Sequence, residues 1–230
     1  FCHTIIEPLY VHRCRDAEIE PDTILYNSLL AAVSQEAGRG RASLTDATLV
    51  MQQLRAAGLR PNVNTMNTLM DVTAKVAGSK SHSQVRDDEP MPVTPMSGQS
   101  ILRLMANEAL APNAWTYTTL LSLYAKCAAR GPGQTSLGDA NRVRQMMMDT
   151  RVAPTVPLIN NYMNLIAKLA MNGEADLEHG YAVLDYAEEW NLKSNVITLN
   201  ALAQVAASSA SRDRASFQDT LDVLDLLLTK

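Results

Sequence analysis

The hydrophobic and polar positions of this 230-residue chain follow one order that recurs five times. Each copy opens with a proline or a serine and continues as a mostly apolar segment with a small polar residue near its middle. A second apolar segment precedes each opening residue. Self-similarity of this kind is typical of a repeat protein, in which each repeat is one supersecondary unit. The copies start at Pro21, Pro61, Pro112, Pro154 and Ser194.

Constant offsets from these starting points predict two helices in each repeat. Apolar residues lie two, seven and eleven positions before every start, and spacings of four and seven residues place side chains on one face of an α-helix. The pattern predicts first helices such as 24–35 and 115–128, and second helices such as 44–57 and 137–150. Fourteen positions before the last four starts lie small residues, which allow two helices to approach closely: Ala47, Gly98, Ala140 and Gly180.

The intervals between starts are 40, 51, 42 and 40 residues, longer than the roughly 34 residues of common helix-pair repeats. Because both flanking patterns keep their offsets, the extra residues must lie between the two helices of a pair, and 78–96 is predicted to be a mobile insertion. The fold class is predicted to be all-α, an α-solenoid of antiparallel helix pairs wound into a right-handed superhelix. Its predicted parts are a partial repeat at 1–22, repeats at 23–62, 63–113, 114–155 and 156–195, and a truncated repeat at 196–230.

Composition narrows the classes of function. The net charge of -4 argues against a general electrostatic clamp on nucleic acid, so any contact with RNA must use local basic positions. Three cysteines without C-x-x-C spacing indicate neither a disulfide framework nor a zinc ribbon. No apolar run reaches the roughly 18 residues that span a bilayer, so no membrane partner is expected. The start at Phe1 leads us to expect a piece of a longer protein.

The recurring signature resembles the pentatricopeptide repeat family. It consists of Pro-Asp or Pro-Asn, variable residues, Thr or Leu, Tyr, Asn and a Leu-Leu or Leu-Met pair, as in P-D-T-I-L-Y-N-S-L-L from Pro21. The second helix, which ends in Gly-Leu-Arg-Pro-Asn before Val63, resembles that family too. The tetratricopeptide repeat is the nearest alternative, but its Trp and Leu-Gly pairing is absent from the first helices.

The resemblance implies that the chain reads single-stranded RNA at about one base per repeat, through two or three side chains in each. By the same resemblance, Asn-Asn pairs suggest pyrimidines. An amide offers both donors and an acceptor, so it can pair with a base edge without bringing a charge into the site. The implied base-reading residues are Asn27 with Asn62, Asn67 with Asn113, Thr118 with Thr155, Asn160 with Asn195, and Asn200.

Two further sets of side chains follow from the same resemblance. Ile24, Trp115 and Ile197 occupy the position that packs against a base, where Asn64 and Pro157 stand in the other two copies. The small polar residues of the second, third and fourth copies are Asn67, Thr118 and Asn160. Eight residues after them lie the implied phosphate contacts, Lys75, Lys126 and Lys168. The alternative for the lysines is a solvated helix end, and Trp115 could equally be a partly buried packing residue.

Other functions were weighed on the same residues. The recurring small polar residues could instead form hydrogen bonds between neighbouring helices. The chain would then be a protein-interaction scaffold without contact to RNA. Cys2, His3, His12 and Cys14 match no metal-finger spacing, and Asp87, Asp88 and Glu89 lie in the insertion, so catalytic residues, metal sites and cofactors are not expected.

The chain is therefore predicted to be no enzyme, although it could be the recognition arm of an RNA-processing enzyme. The expected partners are single-stranded messenger or ribosomal RNA, bound on a concave face, and other subunits of a large ribonucleoprotein such as the mitochondrial ribosome. The resemblance implies a mitochondrial location, with the chloroplast as the alternative.

Overall fold

The computed structural model describes residues 20–79, 93–212, 216, 218–219 and 221–223. All regular structure in these ranges is helical, which confirms the predicted all-α fold class. Most of the partial repeat at 1–22 and most of the insertion at 78–96 lie outside the described residues. The helices are α1 (Thr23–Gly38), α2 (Leu44–Ala56), α3 (Val63–Gly78), α4 (Pro95–Asn107), α5 (Ala114–Ala128), α6 (Leu137–Asp149), α7 (Val156–Asn172), α8 (Leu177–Glu189) and α9 (Val196–Ala210).

The helices form two compact units, Phe1–Pro112 and Asn113–Lys230. In the first unit, α1 and α3 are first helices that pack side by side, and the second helix α2 packs against both of them. In the second unit, the first helices α5, α7 and α9 pack in succession, with α6 against α5 and α7 and α8 against α7 and α9. Each unit therefore repeats the predicted helix pair.

The observed helices begin close to the predicted positions, and most of them begin after a residue whose side chain caps the first turn. Asp22, Ser43 and Ser136 accept hydrogen bonds from the backbone N–H three residues later, at the starts of α1, α2 and α6. Such bonds satisfy donors that the first turn of a helix leaves unpaired. α4 begins with Pro95 after the cap residue Thr94, since proline fits the first helical position, and this start falls inside the predicted insertion.

The apolar residues seven and eleven positions before each of the last four starts are buried core positions of the second helices. Leu54, Met105 and Met147, seven residues before their starts, are fully buried or nearly so. At the small-residue offset, a Cβ added to Gly180 would lie 2.6 Å from Leu202 Cδ1, so α8 approaches α9 closely at this point. The predicted close approach is therefore observed at Gly180, and Ala47 and Ala140 at the same offset are fully buried.

The second helices α2, α4, α6 and α8 end in the same way, with a left-handed residue two positions after the last helical one. In α2 the N–H of Leu59 bonds the carbonyl of Leu54 at 3.2 Å, and the N–H of Gly58 bonds that of Arg55 at 2.9 Å. This pair of bonds is the Schellman motif, which also brings the two apolar side chains together. The apolar residues two and seven positions before each of the last four starts are therefore the two ends of this motif.

We expect glycine to stabilise the chain at two of these left-handed positions. Ala109 and Arg151 both have φ of 54°, whereas Gly58 has φ of 73°. A residue with a Cβ is destabilised by about 1–2 kcal/mol in the left-handed region. Glycine avoids this cost but loses more backbone entropy on folding, which offsets roughly half of the gain. Ala109→Gly and Arg151→Gly should each raise the free energy of unfolding by about 0.5–1 kcal/mol, measured by urea titration.

Gly58→Ala is the reciprocal control for this prediction. No atom lies within 4 Å of a Cβ added at Gly58, so the substitution tests backbone strain alone. It should lower the free energy of unfolding by about 1 kcal/mol. Glycine variants that are less stable than the original chain would contradict the account.

Candidate nucleic-acid interface

The first turns of the first helices carry the predicted base-reading residues, and asparagine begins three of these helices. Asn62, Asn113 and Asn195 are the N-cap residues of α3, α5 and α9. Each accepts a hydrogen bond from the N–H of a threonine three residues later, whose hydroxyl in turn accepts from the N–H of the asparagine. This reciprocal capping box fixes the entry of the chain into the helix.

Asn27 joins the capping box of the following first helix. Its Oδ1 accepts a hydrogen bond of 2.7 Å from Thr65 Oγ1, and its Nδ2 donates to Asn62 Oδ1 at 3.4 Å. The predicted pair of Asn27 and Asn62 is therefore brought together, with Thr65 buried between them. The amide of Asn27 is half-buried and Asn62 is exposed, so this group lies at the surface of the first unit.

The second unit repeats the arrangement. Thr198 Oγ1 donates to Asn160 Oδ1 at 2.5 Å, and the N–H of Thr198 donates to Asn195 Oδ1 at 3.0 Å. Asn160 and Asn195 are thus joined through one buried threonine. In both units a hydrogen-bond bridge between helices ends in an amide at the surface, so an interhelical role and a binding role are compatible.

The remaining predicted base-reading residues differ in exposure. Asn67 is only 5% exposed and Thr118 only 8%, whereas Thr155 and Asn200 are exposed. The hydroxyl of Thr118 donates to the carbonyl of Ala114 in its own helix at 2.7 Å. Thr118 therefore offers less to a base than the amides at 27 and 160 do. The assignment of these residues to base reading stays a prediction.

The predicted base-packing residues form the exposed apolar part of the interface. Ile24, Trp115 and Ile197 occupy the second position of α1, α5 and α9, and they are 74%, 60% and 63% exposed. Each lies three residues, close to one helical turn, before the small polar position of its repeat. The described residues thus place a large apolar surface beside a polar side chain at equivalent points of three repeats.

The three predicted phosphate contacts have different surroundings. Lys75 Nζ lies 2.7 Å from Asp71 Oδ2 and donates to Ser34 Oγ at 2.8 Å, so its charge is largely compensated within the protein. Lys168 Nζ has only a long contact of 3.9 Å with the sulfur of Met171. Lys126 lies in the last turn of α5. Among these lysines, Lys168 is the better placed to meet a phosphate.

Three residues of this surface were not predicted from the sequence. Thr65 and Thr198 donate hydrogen bonds to the amide oxygens of Asn27 and Asn160. The sequence signal that could have identified them is the threonine or leucine four residues after each start. Arg212 binds the carbonyls of Ala170 and Met171 at the end of α7, where a cation is favoured by the helix dipole. Arg212 lies eighteen residues after its start, where Arg39 and Arg130 stand in two other copies, and this recurrence was the available signal.

Other chemistry was sought in the described part of the chain. No three His, Cys, Asp or Glu side chains come together there as potential metal ligands, and no helix there is long and apolar enough to cross a bilayer. Cys127 is buried, and burial raises the pKa of its thiol, which disfavours the reactive thiolate. Both clusters weighed as metal sites, at Cys2–Cys14 and at Asp87–Glu89, lie outside the described residues.

Comparisons with known proteins agree with this architecture. The family model described as "Pentatricopeptide repeat domain" matches residues 10–76. The crystal structure of the maize pentatricopeptide repeat protein PPR10 with an 18-nt psaJ RNA element is 21% identical, with a TM-score of 0.62 over 94% of this chain and 26% of that one. A comparison with curated protein sequences gave no match.

A second solved structure is the pentatricopeptide repeat domain of Arabidopsis thaliana protein-only RNase P 1 in complex with tRNA. It is 17% identical, with a TM-score of 0.54 over 85% of this chain and 87% of that one. The fold of this chain is thus similar to that of helical-repeat solenoids, and the chain spans about a quarter of the length of PPR10.

Proposed function

We propose that this chain carries pentatricopeptide repeats and that it binds single-stranded RNA through side chains on the first helices of its repeats. The observation that carries the proposal is the exposure of Ile24, Trp115 and Ile197 at equivalent positions, each one turn before a polar residue. An apolar face supports base stacking, and a neighbouring amide supplies hydrogen bonds to the base edge. PPR10 and the RNase P domain, which share the fold, were both solved with RNA.

The charge distribution favours base contacts over contacts with the RNA backbone. The net charge is -4, and Lys75 is paired with Asp71, so few lysines of this surface are available to neutralise phosphates. Each phosphate contact adds about 0.7 to the slope of log K against log salt for single strands. We therefore propose a shallow salt dependence, with stacking and hydrogen bonding as the main sources of affinity.

Lys168→Gln tests the basic part of this surface. It should weaken binding to mixed-sequence single-stranded RNA and lower the salt slope by about 0.7, because one phosphate contact is lost. Fluorescence anisotropy with a labelled RNA at several salt concentrations measures both quantities. Arg142→Gln is the matched control, since Arg142 is an exposed cation on the second helix α6.

The same titration separates RNA binding from the main alternative. A chain that acts only as a protein-interaction scaffold would bind the RNA weakly, and Lys168→Gln and Arg142→Gln would then have equal effects. Saturable binding that responds to Lys168 and not to Arg142 would support the proposed interface. The proposal concerns binding alone and assigns no catalytic step to the described residues.

We further propose that the chain acts in mitochondria, within a large ribonucleoprotein such as the mitochondrial ribosome, with messenger or ribosomal RNA as the ligand. The acidic balance supports this, because neighbouring subunits would add affinity that the charge of this chain does not supply. Sedimentation of a mitochondrial extract tests it: the chain should comigrate with ribosomal RNA and leave that fraction after ribonuclease treatment. Comigration in a chloroplast extract alone would overturn the location.

A further inference from the structure

We propose that Thr65 and Thr198 are positioning residues that determine which hydrogen-bonding group Asn27 and Asn160 present to RNA. The inference rests on the proposed function and goes a step deeper into the same surface. Neither threonine faces the solvent, since both are fully buried, so they act through the asparagines.

The hydroxyl of Thr65 has one proton and two acceptors within reach. Its oxygen accepts the N–H of Asn62 at 3.1 Å and lies 2.7 Å from Asn27 Oδ1 and 3.0 Å from Asn62 Oδ1. Asn62 Oδ1 already accepts the N–H of Thr65 at 3.0 Å, whereas the carbonyl of Asn27 has the shorter contact with the hydroxyl. The proton therefore goes to Asn27, and the amide oxygen of Asn27 is used within the protein.

The reverse orientation of the Asn27 amide is unfavourable. It would place the oxygen of Asn27 where Nδ2 now donates to Asn62 Oδ1, so two acceptors would face each other at 3.4 Å. A hydrogen-bond network of this kind selects one of the two nearly equivalent orientations of an asparagine side chain. One N–H of Asn27 Nδ2 thus bonds Asn62, and the second N–H is the group that Asn27 offers to RNA.

The second unit shows the same bond independently. Thr198 Oγ1 lies 2.5 Å from Asn160 Oδ1, and Asn160 Nδ2 has no hydrogen-bond partner among the described residues. A third repeat provides the comparison. The third residue of α7 is Leu158, which has no hydroxyl. The small polar residue of the preceding repeat, Thr118, donates instead to a carbonyl of its own helix. In these three cases the bridge occurs where the third residue of the next first helix is threonine.

An asparagine whose oxygen is occupied recognises different bases from a free one. A free amide can bind adenine with both of its groups, as acceptor from N6 and donor to a ring nitrogen. With Oδ1 turned towards a buried threonine, the NH2 group is the part of the amide that is left to face a base, and such a donor suits the carbonyl oxygens of uracil. The two threonines therefore favour uracil over adenine at the sites of Asn27 and Asn160.

The test compares the affinities of the full chain for oligo(U) and oligo(A) of equal length. In the double variant Thr65→Val and Thr198→Val, the ratio of the two affinities should fall about three- to tenfold, the effect of one hydrogen bond per site. Thr65→Ser with Thr198→Ser should retain the original ratio, because the hydroxyl is kept. Thr73→Val is the matched control, since Thr73 is a buried threonine whose hydroxyl bonds its own helix at Leu69.

The outcomes separate the two proposals. A general loss of stability would weaken both RNAs equally and leave their ratio unchanged, so an unchanged ratio in a valine variant that still binds RNA overturns the positioning role. If the original chain binds neither RNA, the proposed function fails and this inference falls with it. The side-chain carbonyl resonances of Asn27 and Asn160, which should shift in the valine variants and not in the serine variants, report the bond without RNA.

Discussion

Tyr117→Ala is expected to lower the free energy of unfolding of the second unit by about 3–5 kcal/mol, the range for removing a large buried aromatic side chain. Tyr117 is fully buried on α5, at the residue just before the small polar position. Its hydroxyl lies 3.1 Å from Thr150 Oγ1 and 3.4 Å from the carbonyl of Met146, at the end of α6. The ring therefore fills the space between the helices of one pair while the hydroxyl binds the end of the second helix.

Two variants divide this effect into its parts. Tyr117→Phe keeps the ring and removes the hydroxyl, so it should cost only about 1 kcal/mol. Met148→Ala, on the exposed side of α6, should change the free energy of unfolding by less than about 0.5 kcal/mol. Urea titration followed by circular dichroism measures all three. A cost for Tyr117→Ala close to that of Met148→Ala would show that the ring is not part of the core.

Trp115→Ala is expected to weaken RNA binding about 5- to 150-fold, which corresponds to the roughly 1–3 kcal/mol that one base gains by stacking on an aromatic ring. Folding should be almost unaffected, because Trp115 is 60% exposed at the second position of α5. Trp115→Phe should retain part of the affinity, since a smaller aromatic ring remains. Anisotropy titrations with single-stranded RNA measure the three affinities.

The second tryptophan of the chain provides the control. Trp190 is also exposed, but it is the C-cap residue of the second helix α8 and does not occupy the base-packing position of a repeat. Trp190→Ala should leave the RNA affinity unchanged, and a Trp190→Phe variant leaves Trp115 as the sole tryptophan reporter. Its fluorescence should then change on RNA binding. Equal losses of affinity for Trp115→Ala and Trp190→Ala would argue against stacking at position 115.

Much of the fold could be predicted from the sequence because helix ends depend on local residues. The apolar positions two and seven before each start were recognised as a recurring pattern, and in the structure they are joined by the bond from Leu59 to Leu54 and its equivalents. The small residue at position 180 likewise predicted a close approach of two helices. In the structure, the side chain of Leu202 on α9 occupies the space that a Cβ at Gly180 would need. Periodicity sufficed for both, since each effect depends on a fixed spacing within one repeat.

The candidate surface was harder to predict because its contacts join separate repeats. The lysine at position 75 recurs at a regular offset, but Asp71 and Ser34, which hold it, do not belong to that pattern. The bridge from Thr65 to Asn27 spans 38 residues, and the sequence alone could not show which group of the amide it would occupy. Such pairings depend on side-chain geometry after the helices have packed, so a pattern of residue types identifies the candidates without their partners.

Because local capping residues determine where a helix begins and ends, the number of residues between two helices can change without moving the helix ends. The interval from Pro61 to Pro112 is 51 residues, compared with 40 in the preceding copy, yet α3 begins at a capping-box asparagine as α5 and α9 do. α4 is followed by a left-handed residue as α2, α6 and α8 are. Lengthening a flexible connection costs only about 0.6 kcal/mol per doubling. Evolution can therefore insert or delete segments between paired helices without disturbing neighbouring repeats, and a peptide tag placed there should be carried at little cost.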